Sequence, residues 1–206
     1  MKYGAIVLAA GHSTRYGELK KQDLEFHGKQ LWRHAYDTAR LVVGENIVAV
    51  GKDIPGGATR SLSVINGLNE LAPDIERVVI LDAARPLVTE KQIRTVLEHQ
   101  SPSCSLVHPL VNTPIFRNGT YVNRNDMYDL LVPQAFDFKL LSEAYASAHF
   151  YDVTDETRVM FEYHGIKPTL IETENNLYKV TYPGDLQIIE SVSYTHLRAH
   201  ETRSNL

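Results

Sequence analysis

A chain of 206 residues, 43% of them hydrophobic, is the size of one ordinary domain and long enough to close a single α/β core. Its 21 basic and 25 acidic residues leave a formal charge of −4, which excludes a general pull toward nucleic acid or an anionic membrane, so any anion must be held locally. No window approaches the roughly 18 to 20 uninterrupted apolar residues of a membrane-spanning helix, the single Cys104 cannot form an internal disulfide, and no leader-like pattern opens the chain; these features predict a protein of the reducing cytoplasm.

The opening GAIVLAA is an unalternating apolar run that stops at Gly11, the pattern of a parallel strand buried on both faces. After a polar loop to about Lys21, KQLWRHAYDTARLV places Leu31, Trp32, Ala35, Ala39 and Val42 at helical spacing. Ile47 to Val50 predicts a second strand, Gly56 and Gly57 a turn, and SLSVINGLNEL a helix capped by Ser61 or Ser63. Val78 to Leu81 predicts a third strand, ending at Asp82. TEKQIRTVLEH follows as an amphipathic helix capped by Thr89, and CSLVHPLV as a further strand.

TPIFRNGTYVNR breaks this rhythm, because Asn118 and Gly119 between two short strand-like runs signal a tight hairpin, an arm projecting from the sheet. AFDFKLLSEAYASAH and TDETRVMFEYHG then read as helices, TLIE as a strand, and YPGDLQIIESV as a closing helix with Pro183 near its start. The alternation implies an α/β fold: a single-domain, mostly parallel twisted sheet with helices on both faces, whose ligands sit beyond the carboxyl ends of the strands.

Two loops at that edge carry chemistry. LAAGHSTRYGELKKQ joins a glycine turn to Arg15, Lys20 and Lys21: Gly11 lets backbone amides approach a ligand, and the cations suit a triphosphate. The alternative is a surface loop with solvated lysines; the absence of GKS, GKT and GxGxxG removes support for ATPase and dinucleotide readings. DAARP sets Asp82 and Arg85 at the end of the third strand, where a carboxylate can approach a magnesium-bound triphosphate or, alternatively, cap the next turn. Cys104 reads as a small buried apolar residue, and the histidines lack zinc-ligand spacing.

LAAGHSTRYGELKKQ, GGATRSLSVINGL, DAARPLV, VPQAF, TDET and YKVTYPGDL occur in the order found in 2-C-methyl-D-erythritol 4-phosphate cytidylyltransferases of isoprenoid synthesis, and the chain resembles that family from Met1 to about Val192. The first motif is shared with a wider class of nucleotidyltransferases. The resemblance implies transfer of CMP from CTP to a polyol phosphate with release of pyrophosphate, using Mg2+ or another divalent cation for which Asp82 is the candidate ligand. It implies that Ala9, Ala10, Gly11, Gly57, Ser63 and Asp82 bind CTP. Arg15, Lys21 and Lys179 would act on the phosphates, with Lys20 competing for the place of Lys21 because the loop is one residue shorter than usual. Arg85, Thr113, Arg124 and Thr154 would bind the acceptor, Thr113 and Arg124 from the arm of a neighbouring subunit, so that a homodimer is expected.

Residues 1–192 thus read as a nucleotidyltransferase domain with its arm at about 112–125. Residues 193–206 lose apolar periodicity and read as a translated cloning scar or a natural frayed tail. The chain departs from the family pattern at Leu81, where His is usual, at Val132, where Thr is usual, and in a shorter connection before Gly56. These departures leave two further readings open: a cytidylyltransferase for ribitol 5-phosphate or another polyol or sugar phosphate in cell-surface polymer synthesis, and a non-catalytic nucleotide-binding relative.

Overall fold

The computed structural model describes residues 1–11, 16, 20–173 and 177–191. Chain order gives β1 (Tyr3–Leu8), β2 (Glu25–Phe26), β3 (Lys29–Gln30), α1 (Leu31–Val43), β4 (Ile47–Val50), α2 (Arg60–Glu70), β5 (Arg77–Asp82) and α3 (Glu90–Leu97). There follow β6 (Ser103–Pro109), β7 (Tyr128–Asp137), α4 (Phe138–Tyr145), α5 (Glu156–His164) and β8 (Thr169–Glu172), and a last helix over 185–191. Six strands form one sheet in the order β4-β1-β5-β7-β6-β8. All neighbours run parallel except those of β7, which is antiparallel to both β5 and β6.

Strand alternation divides the apolar residues between two cores. Ala5 and Val7 of β1 and Val79 and Leu81 of β5 face α1 and α3, packing on Trp32, Ala35, Ala39, Ile93 and Val96. Ile6, Val78 and Ile80 face the other way, onto Val64 and Leu68 of α2, Leu141 of α4 and Val159 and Met160 of α5. Leu81 is only 1% exposed, so its apolar side chain belongs to the first core.

β7 is the element that the apolar pattern misses. Pro133 in its middle has no N–H for a ladder and argues against a strand. The sheet accommodates it by an irregularity: Ser105 pairs with Gln134 and Val107 with Leu130, so three residues of β7 lie opposite Leu106. The helix expected from Ala135 consequently begins at Phe138, capped by the Asp137 side chain. A second addition is the small β2–β3 hairpin, whose His27 and Gly28 both have positive φ, 47° and 73°, as a two-residue turn of the favoured hand requires.

The four-residue β4 lies at one edge of the sheet. Its outward groups are met by its own loop: Ala49 N donates to Asp53 Oδ2 at 2.8 Å, and Lys52 and Asp53 donate their N–H groups to Ala49 O. An edge closed in this way presents little free backbone to a neighbouring chain. The arm is slighter than a full hairpin, with one antiparallel bridge, Ile115 to Tyr121, around a turn from Phe116 to Gly119 at φ +86°.

Candidate active site

At the carboxyl ends of β1 and β5 the chain encloses a cleft of about 250 Å³. One wall is backbone: Ala9, Ala10 and Gly11 leave β1, with Ala9 N held by Val50 O at 2.8 Å. Gly56 comes up against Ala10, and Gly57 against the first turn of α2, so closely that a side chain has no room at either. A Cβ on Gly56 would stand 2.2 Å from the Ala10 Cβ, and one on Gly57 2.6 Å from the backbone carbon of Leu62. Glycine at these places lets the turn before α2 pack directly on Ala10 and on the helix start, with Gly57 lining the cleft.

The helix after this turn is capped by Thr59, whose hydroxyl accepts from Leu62 N at 3.1 Å; neither Ser61 nor Ser63, the caps expected from sequence, does this. Ser61 turns away, donating its hydroxyl to Val153 O and accepting from Val153 N. Ser63 pins the glycine turn, accepting from Gly57 N and donating to Thr59 O, both at 3.0 Å. The start of α2 thus faces the cleft with the positive end of its dipole, favourable ground for an anionic ligand.

The opposite wall carries charge. Lys179 Nζ donates to Asp82 Oδ2 at 2.6 Å, and the Asp82 side chain is only 13% exposed. Burial alone would raise the Asp82 carboxyl, but Lys179, Arg60 and Arg85 overcome it and hold the group at about 2, so it is ionised throughout the neutral range. Lys21 lines the cleft and donates to Val180 O at 2.8 Å, while Lys20 is exposed and lines a separate groove behind Ala9 and Ala10. The segment carrying Lys179 is tied down further by Val180 N to Ala84 O and by Arg85, which donates to Leu177 O.

Of the site residues expected from sequence, Ala9, Ala10, Gly11, Lys21, Gly57, Ser63, Asp82 and Lys179 converge on this cleft. Arg85 does not line it; burial lowers its pKa, and its Nε has no partner among the described residues. Thr113, Arg124 and Thr154 are exposed and are not among the residues that line the cleft, and Arg124 donates to Val111 O at 2.7 Å. Arg15 and residues 193–206 lie outside the described residues.

Sequence reasoning missed Gln22, which donates to Gly11 O at 3.0 Å, and Arg60. For Arg60 a signal was present: an arginine at the first position of a helix opposes the helix dipole and calls for a holder. That holder is Glu156, fully buried, which binds Arg60 Nη1 and the Tyr145 hydroxyl. Burial disfavours the Arg60 cation, yet Glu156 and Asp82 outweigh it, and the guanidinium stays charged. Burial likewise pushes the Glu156 carboxyl up, against the pull of Arg60.

Among the described residues no three His, Cys, Asp or Glu side chains gather as a metal cage. Asp82 offers one carboxylate whose Oδ2 already receives Lys179. Such a donor set fits an ion that arrives on a triphosphate, since magnesium commonly keeps its waters and takes one or two carboxylates beside substrate phosphates. No helix among the described residues is long and apolar enough to cross a membrane.

The profile of the family described as IspD, 2-C-methyl-D-erythritol 4-phosphate cytidylyltransferase, matches residues 47–194. The protein of that name from Clostridium botulinum (strain Langeland) is 34% identical over 224 residues, covering 93% of this chain and 97% of its own length. The one from Aquifex aeolicus is 30% identical over 213 residues, covering 92% and 97%. The solved 2-C-methyl-D-erythritol 4-phosphate cytidylyltransferase of Thermus thermophilus superposes with a TM-score of 0.77 at 25% identity, over 94% of this chain and all of its own. The bifunctional IspDF of Campylobacter jejuni gives 0.79 at 26%, over 91% of this chain, which spans about half, 54%, of that longer protein.

Proposed function

The chain belongs to the 2-C-methyl-D-erythritol 4-phosphate cytidylyltransferase family, and we propose that it transfers CMP from CTP to 2-C-methyl-D-erythritol 4-phosphate, releasing pyrophosphate. The observation that carries this reading is the cleft itself, where a glycine-walled slot and a cluster of two lysines and one aspartate share one cavity. A flat pyrimidine fits between the Ala9 to Gly11 backbone and the Gly57 turn. A phosphate oxygen of the acceptor attacks the α-phosphorus in line, and pyrophosphate departs.

The acceptor phosphate is already ionised near neutral pH, so no side chain need become a covalent nucleophile. Lys21 stands where it can stabilise the charge that grows on the triphosphate oxygens, with Arg15 as its partner from the preceding loop. Lys179 bridges Asp82 and the α-phosphate position. Magnesium, bound at Asp82 and the phosphates, would supply further neutralisation of the departing pyrophosphate.

Thr154, and Thr113 and Arg124 from the arm of a second subunit, complete the acceptor side in this reading. A guanidinium grips phosphate with two parallel hydrogen bonds, which suits Arg124 to the acceptor's phosphate. Exposure of Ile115, Phe116 and Tyr121 on the arm supports a homodimer, since side chains of this kind are commonly covered by a partner. The lone buried Cys104 suits a reducing cytoplasm.

The test is magnesium-dependent pyrophosphate release from CTP with 2-C-methyl-D-erythritol 4-phosphate, run beside ribitol 5-phosphate and glycerol 3-phosphate. Release with the methylerythritol compound alone is expected. Release with ribitol 5-phosphate alone would move the enzyme to polymer-precursor synthesis, and CTP binding without release by any acceptor would make it a nucleotide-binding module.

A further inference from the structure

Arg60 opens α2, and α2 has no acidic residue in its first turn to offset a cation there. A positive charge at that end opposes the helix dipole, so the position carries an electrostatic penalty. Glu156 meets the charge at a penalty of its own: its side chain is 0% exposed, Oε1 receives Arg60 Nη1 and the Tyr145 hydroxyl at 3.0 Å, and Oε2 has no partner among the described residues. A buried carboxylate with one oxygen unmet is poor ground for stability, and apolar side chains of equal volume would serve the core as well or better. Stability therefore does not explain the pair.

Position does. Glu156 stands two residues beyond Thr154, and the stretch before it is locked to α2 through the Ser61 hydroxyl, which donates to Val153 O and accepts from Val153 N at 3.1 Å. The start of α2 and the 153–157 stretch thus form one unit. Arg60 lies on the cleft side of that unit, sharing the cavity with Asp82 and Lys179, with its side chain 28% exposed. A guanidinium has five donor hydrogens, and the bond to Glu156 uses one face of the fork.

The geometry points to Arg60 as a further substrate-binding residue of this cleft, directed at the phosphorylated acceptor, with Glu156 as its positioning residue. The inference rests on the cytidylyltransferase reading above and adds to it a cation supplied by the same chain as the nucleotide slot, in contrast to one reaching in from a partner's arm. The buried carboxylate fixes the rotamer of Arg60, so that the fork is preorganised when the acceptor arrives.

The test compares Glu156→Gln, Arg60→Lys and Tyr145→Phe in steady-state assays with CTP and acceptor varied separately. Glu156→Gln keeps the volume and removes the charge. It should raise the acceptor KM about tenfold and leave the CTP KM within about twofold. Arg60→Lys should do at least as much, because an ammonium cannot reproduce the fork. Tyr145→Phe removes a hydrogen bond to Glu156 without touching the cleft and should change thermal stability while leaving the acceptor KM within about twofold.

Equal losses for both substrates in Glu156→Gln, or an acceptor KM raised as far by Tyr145→Phe, would make the pair structural and overturn the proposal. Wild-type protein that releases no pyrophosphate with any acceptor would refute the functional reading alone. Calorimetric titration of the acceptor into CTP-loaded wild type and Arg60→Lys then decides the role of Arg60, and equal affinities would overturn it.

Discussion

Around the cleft the charged side chains are tied to distant parts of the same chain: Lys179 to Asp82, Lys21 to Val180, Arg85 to Leu177 and Arg60 to Glu156, across 92 to 159 residues of sequence. Along the arm the ties are local, Phe116 with Thr120 and Gly119, Asn118 with Thr120, and Arg124 with Val111, thirteen residues away. The arm also leaves Val111 70%, Phe116 58% and Tyr121 74% exposed. One region is finished by its own fold and can hold charges in fixed places before any ligand arrives. The other presents apolar rings and an arginine to whatever lies outside the protomer.

The sharpest break of that contrast is on the cleft side. Lys21→Ala removes a cation that faces the triphosphate in the proposed reaction and also frees Val180 O. A preorganised donor to developing charge is worth about 3 to 4 kcal/mol, so kcat should fall by about two to three orders of magnitude. Single-turnover measurement with CTP saturating checks this. A fall smaller than about tenfold would take Lys21 out of the chemistry and return the role to Lys20.

On the arm side the loss should be smaller and confined to one substrate. Arg124→Ala removes a charge-assisted phosphate contact of about 1.5 to 3 kcal/mol. The acceptor KM should rise about 10- to 100-fold while CTP affinity, set within one chain, stays nearly constant. Phe116→Asp, which makes no substrate contact, should lower the dimer fraction in sedimentation and raise the acceptor KM with it. A fully dimeric Phe116→Asp, or matching losses of CTP and acceptor affinity in Arg124→Ala, would remove the arm from the acceptor site.

The same contrast governs what could be read from the sequence. The strands β1, β4 and β5 and the loops at their ends were legible because each is a local pattern: an apolar run that stops at glycine after β1 and β4 and at a charged residue, Asp82, at the end of β5. The turn of the arm was legible because Asn118–Gly119 marks it locally, with Gly119 supplying the positive φ at +86°. The partnership of Arg60 with Glu156 was not, because 96 residues separate them and only packing brings them together. β7 was hidden for the opposite reason. Its local signal, Pro133 amid VPQAF, argues against a strand, and the tertiary register with β5 and β6 overrides it.

The smallest expected effect tests whether the cleft is preorganised before any ligand binds. Asp82 has a folded pKa of about 2, below the ordinary carboxyl value, because its cationic neighbours outweigh its burial. A depressed folded value contributes stability above the unfolded pKa, near 3.9, and loses it as pH falls through the folded one. The window is therefore about pH 4 down to 2, and the contribution is about 2 to 3 kcal/mol at 1.36 kcal/mol per pKa unit. Chemical unfolding of wild type and Asp82→Asn across pH 6 to 2 should show the difference between them shrinking by about that amount, while protonation of other carboxyls affects both alike. Parallel curves would mean that Lys179 does not hold Asp82 in the free protein, and the cleft would then join the arm as a region that takes its working shape only with a partner.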